Sequence, residues 1–177
     1  GLGIIAETTV RFALAALDAG AHGLFFASQC SSYQLLNEAE YRAFGEPFDR
    51  AVLNAVQSKA RFNMAHAHGD DAMFDILAAY PVQMMNWHDR RTWPSLAEAR
   101  ERFPGLLVGG IDDRQTLLNG SADAIRAEIQ DAIGQGAGRL MVGPQCVMSI
   151  DTPDDKVRIA VEAVTGIDLD VGVAHAG

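Results

Sequence analysis

Cysteine is scarce in this chain of 177 residues, with only Cys30 and Cys146, so no disulfide framework organises it and a reducing, cytoplasmic setting is expected. Basic residues are few as well. Against 23 acidic residues there are 14 Lys and Arg, scattered without a basic stripe, and the net charge of −9 disfavours nucleic acid and anionic lipid as partners. No apolar run approaches the roughly 18 residues of a membrane span. The opening Gly1–Val10 has no basic segment and no small-residue cleavage site, so no secretory signal is expected. No Gly-x-Gly-x-x-Gly fingerprint follows the first strand-like run, and no Gly-x-x-x-x-Gly-Lys loop occurs, which argues against a nucleotide-binding open sheet. Nothing is low in complexity, and 49% hydrophobic residues are enough for a single domain spanning 1–177 with a real core.

What is present alternates. Five short apolar runs, Gly23–Ala27, Arg61–Ala65, Val82–Trp87, Leu106–Gly110 and Arg139–Gly143, have strand length and are apolar at both parities, the pattern of strands covered on both sides. Amphipathic stretches lie between them. Thr9–Leu17 reads as a helix ending at Gly20, and Phe44–Ala60 as one long helical segment. Asp70 and Asp71 open a helix through Met73, Ile76 and Leu77. Ser95 with Glu98 forms a capping box, Ser121 caps a helix whose buried stripe is Ile125, Ile129, Ala132 and Ile133, and Pro153 sits in the first turn of the last helix. Strict β-α alternation implies parallel strands with helical crossovers. An open doubly wound sheet and a piece of a (β/α)₈ barrel both fit, and five strands are too few to close a barrel.

Chemistry collects after the strands. Ser28 and Cys30 follow the first, His66-Ala67-His68 the second, Trp87-His88-Asp89 the third, Asp112 the fourth and Cys146 the fifth. Parallel α/β folds place their sites at these carboxyl ends. Two imidazoles two apart on an extended segment point the same way. With Cys146 from another strand they make a donor set for a borderline metal such as zinc. On spacing alone, the same residues equally suit ordinary packing, with His66 under a helix, His68 bonded to loop backbone and Cys146 a small buried hydrophobe. Asp89 reads either as a substrate or acid/base carboxylate or as a loop cap, and Asp112 as a substrate ligand or the cap of the turn after Arg114. Ser28, Trp87 and His88 are candidate pocket residues. His175, in the tail, carries no clear signal.

His66-Ala67-His68-Gly69, Trp87-His88-Asp89, Gly109-Gly110-Ile111-Asp112 with Leu117-Leu118-Asn119-Gly120-Ser121, and Gly143-Pro144-Gln145-Cys146 with Asp151-Thr152-Pro153 follow one another as in the uroporphyrinogen decarboxylase superfamily. The resemblance covers roughly Ala6 to Thr165 and corresponds to the superfamily's C-terminal portion. It implies a partial (β/α)₈ barrel of about five parallel strands. The decarboxylase branch carries a His where Cys146 stands here. The cobalamin-dependent methyltransferase branch, with a Pro-Gly-Cys segment before a Thr-Pro helix start, is more similar. That likeness implies zinc held by His66, His68 and Cys146, with His68 in place of the branch's usual Cys. It further implies methyl transfer between a corrinoid on a partner protein and a thiol, with Asp89 and Asp112 orienting the substrate. The alternatives are a metal-free tetrapyrrole decarboxylase, and a non-catalytic barrel fragment completed by the remaining barrel half or a second copy.

Overall fold

A computed structural model describes residues 1–166. His175 lies outside the described residues. The chain runs through α1 (Leu2–Asp18), β1 (Phe25–Ser28), α2 (Glu38–Phe44), α3 (Glu46–Val56), β2 (Met64–Ala67) and α4 (Phe74–Ala78). It continues with β3 (Met84–Trp87), α5 (Leu96–Arg102), β4 (Leu106–Ile111), α6 (Thr116–Asn119), α7 (Ala122–Gly136), β5 (Leu140–Pro144) and α8 (Asp154–Thr165).

All five strands are parallel and lie in one sheet in the order β1-β2-β3-β4-β5. A doubly wound sheet reverses its strand order at a switch point. This one never does, so every crossover runs the same way, as in a segment of a (β/α)₈ barrel. The registers define two rows of side chains. Phe26, Ala65, Met85, Leu107 and Leu140 form one, and it meets the helices: Ala65, Met85 and Leu107 are fully buried with Leu53, Phe74, Leu77, Leu96 and Ala99. A second core joins Ile111, Leu117, Ile125 and Ile129 to Ile159, Ala160 and Ala163 of α8.

The other row, Ala27, His66, Asn86, Val108 and Met141, lies on the concave face. That face is only half covered, with Phe25 62% and Met141 42% exposed. The expectation of strands covered on both sides is therefore corrected. The helices shield one face, and the concave face of an unclosed sheet keeps its apolar side chains in the open.

Several boundaries also differ from the sequence reading. Phe44–Ala60 is not one helix: α2 ends at Phe44 and α3 starts at Glu46, with Gly45 between them packed so closely on the Tyr41 ring that a Cβ would collide with it. The start of α2, set by an Asn37–Glu40 capping box, lies ahead of the expected segment. β2 begins at Met64 rather than Arg61, which puts His66 inside the strand. Asp70 and Asp71 precede α4 instead of opening it, and Asp71 turns the chain with a φ of 57°. Ile133 is 39% exposed and leaves the α7 stripe, while Pro153 caps α8 from just outside its first turn. The Ser95–Glu98 capping box and the Ser121 cap form as expected.

Candidate metal centre

β2 delivers His66 onto the concave face, in register with Asn86 of β3. The Asn86 side-chain amide fixes the imidazole's tautomer. Its Nδ2 donates to the carbonyls of Val108 (2.8 Å) and Pro144 (3.3 Å), so Oδ1 is the acceptor turned to His66 Nδ1. Nδ1 then carries the hydrogen and the Nε2 lone pair is free. Phe25 stacks on the ring at 5.6 Å. Burial pushes the His66 pKa down to about 4; the Asn86 hydrogen bond opposes this, and nearby His88 and His68 add to it. The ring is neutral at pH 7, as a ligand must be.

His68 follows the end of β2, where its backbone N–H donates to Ser28 O at 3.2 Å. Gly69, at a φ of 89°, lets the chain turn away immediately after it. Cys146 lies two residues beyond β5. Buried Gln145 anchors that loop, its N–H donating to Ile111 O and its Oε1 accepting from Arg90 N.

These three side chains converge. His66 Nε2 lies 3.4 Å from His68 Nδ1, and Cys146 Sγ lies 4.0 Å from the first and 3.8 Å from the second. Around a tetrahedral zinc, bond lengths of about 2.05 Å to nitrogen and 2.3 Å to sulfur set ligand–ligand edges of about 3.4 Å (N–N) and 3.6 Å (N–S). The observed spacings match to within a few tenths of an ångström. Among the described residues, His88 completes a group of four whose ligand atoms all lie within 4.8 Å of one another. Its Nδ1 faces Asp70 Oδ1 at 3.2 Å, whereas its Nε2 is buried and has no hydrogen-bond partner. Burial also lowers the His88 pKa, against the opposing pull of Asp70. An orphaned buried acceptor costs roughly 1–3 kcal/mol, which an ion at this point would relieve. The donor set of imidazole and sulfur fits zinc.

The remaining expected site residues lie apart from this cluster. Trp87 points into the helix-facing core, fully buried against Phe74, with its Nε1 donating to Pro94 O. Ser28 turns to the same outer side and joins Tyr41 and Tyr80 in directing hydroxyls at Asp49 Oδ2. Asp89 is sealed. Both its oxygens accept from the Gly110 N–H, Arg90 lies 3.5 Å away, and a Cβ on Gly109 would collide with the carboxylate. Burial pushes its pKa up to about 7, against the Gly110 and Arg90 contributions. Asp112 accepts from the N–H groups of Arg114 and Gln115, the capping geometry. Burial raises its pKa, but those two donors and nearby Arg91 outweigh it and leave the carboxyl below its usual range. Two residues that shape the centre were not foreseen as doing so. Asn86 had one available signal, a polar side chain in mid-strand within an otherwise apolar run. Asp70 had none, because a turn acid ordinarily reads as a helix-start residue.

A one-way parallel α/β sheet with metal-capable donors at its carboxyl rim defines part of a (β/α)₈-type barrel. The chain belongs to the uroporphyrinogen decarboxylase (URO-D) family, whose model matches residues 2–167. It is similar to the methylcobamide:CoM methyltransferase MtbA of Methanosarcina mazei, at 22% identity over 165 residues, covering 91% of this chain and 47% of that protein. Its fold is similar to that of a solved methyltransferase from Methanosarcina mazei, with a TM-score of 0.76, 24% identity, and coverage of 89% of this chain and 46% of that one. The chain thus spans a little under half the length of these relatives.

Proposed function

We propose that the chain carries a zinc centre held by His66, His68 and Cys146, and that the centre serves methyl transfer between a corrinoid on a partner protein and a thiol or similar acceptor. One observation carries this reading: two ring nitrogens from the end of β2 and a sulfur from beyond β5 stand within a few tenths of an ångström of the edge lengths of one tetrahedron. Similarity to a methylcobamide:CoM methyltransferase supports the choice of reaction. Bound zinc would supply Lewis acidity that lowers the pKa of an acceptor thiol, making it a nucleophile near neutral pH.

The chain's own residues prepare that chemistry. Asn86 keeps the proton on His66 Nδ1, so Nε2 presents a lone pair. Gln145 fixes the loop that carries Cys146. The apolar concave face, including Phe25, Met64, Met84 and Val108, would give the reacting groups a low-dielectric floor once the rest of the barrel covers it. Asp89 acts by position: it clamps the Gly110 amide beneath the rim, and its sealed carboxylate holds β3 and β4 in place. Asp112, at the end of β4, shapes the rim by capping the turn at Arg114 and Gln115, from where it orients substrate. The sheet's outer strands, β1 and β5, each pair on one side only. A remaining barrel half or a second copy is the partner that completes them. A reducing cytoplasm would keep Cys146 available as a ligand. Among the described residues, no helix is long and apolar enough to cross a membrane.

Metal analysis of the purified chain tests the reading. About one zinc per chain is expected, lost in a variant combining His66→Ala with Cys146→Ser, together with zinc-dependent demethylation of methylcobalamin by a thiol. Absence of zinc from the unmodified chain, with decarboxylation of a tetrapyrrole in its place, would reverse the assignment.

A further inference from the structure

We infer that His88 is a fourth protein ligand of this centre, holding the position that an acceptor thiol would take and yielding it when the thiol binds, with Asp70 as the carboxylate that holds its ring. The inference rests on the metal reading above and adds a residue that the three-donor set leaves out.

The strand geometry brings it there. His66 and Asn86 are paired across β2 and β3. Side chains alternate along a strand, so two residues further on His68 and His88 occupy the next step of the same concave row. Their rings meet edge to face, with centroids 5.4 Å apart, and His88 lies 5.9 Å from the His66 ring. The hydrogen-bonding pattern then selects the ligand atom. Nδ1 is engaged by Asp70 Oδ1 at 3.2 Å and carries the hydrogen, which leaves Nε2 with its lone pair. That atom is buried and has no partner in the protein. A ring nitrogen meant for solvent or for a loosely held substrate would reach open space. This one is enclosed, on a ring that stands beside those of His66 and His68.

Charge agrees with the assignment. A divalent ion with one thiolate and three neutral imidazoles retains one positive charge, and the Asp70 carboxylate behind His88 offsets it. A carboxylate bonded to the far nitrogen of a ligand histidine is the usual arrangement around zinc, because it fixes the tautomer and raises ligand basicity. The span of up to 4.8 Å across the four atoms exceeds a tetrahedral edge of about 3.4 Å. An ion held by all four would draw the atoms closer together than they stand here.

The test uses the full chain with Zn²⁺ and Co²⁺, comparing the unmodified protein with His88→Ala, His88→Gln and Asp70→Asn. The readouts are metal affinity, by competition with a chromophoric chelator, and the visible Co²⁺ spectrum, which reports coordination number. The unmodified chain is expected to give an intense four-coordinate spectrum. In His88→Ala the metal should still bind through three donors, about 100-fold more weakly, with the visible bands weakened as water enters. Asp70→Asn, at a half-exposed position, should lose about tenfold in affinity. Thermal unfolding without metal checks that each variant folds, and the bulkier His88→Gln carries the comparison if the alanine variant does not. Unchanged affinity and spectrum in the folded His88 variants would overturn the inference while leaving the three-donor centre intact. Failure of the unmodified chain to bind either metal would overturn both.

Discussion

Asn86 should control metal affinity without touching the metal, and Asn86→Ala is the perturbation that shows it. The substitution removes the acceptor for His66 Nδ1–H and the donors to Val108 O and Pro144 O, all in a side chain only 4% exposed. The imidazole N–H is stranded outright, at roughly 1–3 kcal/mol; the two carbonyls lose one partner each and add a smaller amount. A loss of about 2–4 kcal/mol follows, or roughly 10 °C in Tm for a chain of this size. The metal effect is separate. Without Oδ1 the His66 proton is free to move to Nε2, so zinc affinity should fall 10- to 100-fold, as when an outer-shell partner is lost. At a zinc concentration 1,000 times the unmodified chain's Kd, binding stabilises it by about 4.1 kcal/mol, and a 100-fold weaker site leaves about 1.4 kcal/mol. Thermal melts with and without zinc read both terms. Asn86→Asp is the control. It keeps an acceptor for His66 but turns an anion towards two carbonyls, so it should unfold at least as easily as Asn86→Ala yet retain most of the zinc shift. An Asn86→Ala protein that melts early but shows the full zinc shift would refute the tautomer argument.

Asp89 should impose a pH slope on stability. Its pKa is about 7 when folded, against about 3.9 in an unfolded chain, so between those values the folded state holds the extra proton. Its contribution is therefore greatest in acid and falls as pH rises from about 4 to 7, by a few kcal/mol; urea titrations at pH 5 and 8 should show the slope, and Asp89→Asn should flatten it. Gly109→Ala places a methyl group against the sealed Asp89 carboxylate, and about 1–3 kcal/mol of overpacking is expected in the same titrations. Ser95→Ala removes the α5 cap and should cost about 1 kcal/mol, lowering Tm by about 2–4 °C with no effect on zinc affinity.

Local chemistry was the legible part of this fold. The five strands, the Ser95 and Ser121 caps and the gathering of donors after strands all follow from short-range patterns of apolar residues and punctuation. What escaped depended on distant partners. The break at Gly45 is the exception, since Pro47 in the first turn of α3 and Gly45 itself mark it locally and only the close packing of Gly45 on the Tyr41 ring needs the folded chain. The half-open concave face is invisible because an apolar side chain reads alike whether covered or not. The role of Asn86 lies in carbonyls 22 and 58 positions away, which no local pattern reveals.

Parity explains which candidate residues reached the centre. Trp87, His88 and Asp89 all follow the third apolar run, and the sequence offers no local reason to separate them. The register does: Asn86 lies on the concave row with His66, so His88 joins that row, while Trp87 and Asp89 fall to the other side, one filling the core and the other clamping the Gly110 amide. The same rule keeps His66 and His68 together and sends Ser28 to the outer side with Tyr41. A slip of one residue between β2 and β3 would bring Trp87 beside the sulfur and bury His88 among Phe74 and Leu77. The centre therefore depends on the apolar row Ala65, Met85 and Leu107 that locks the register beneath the helices, as much as on the ligands themselves.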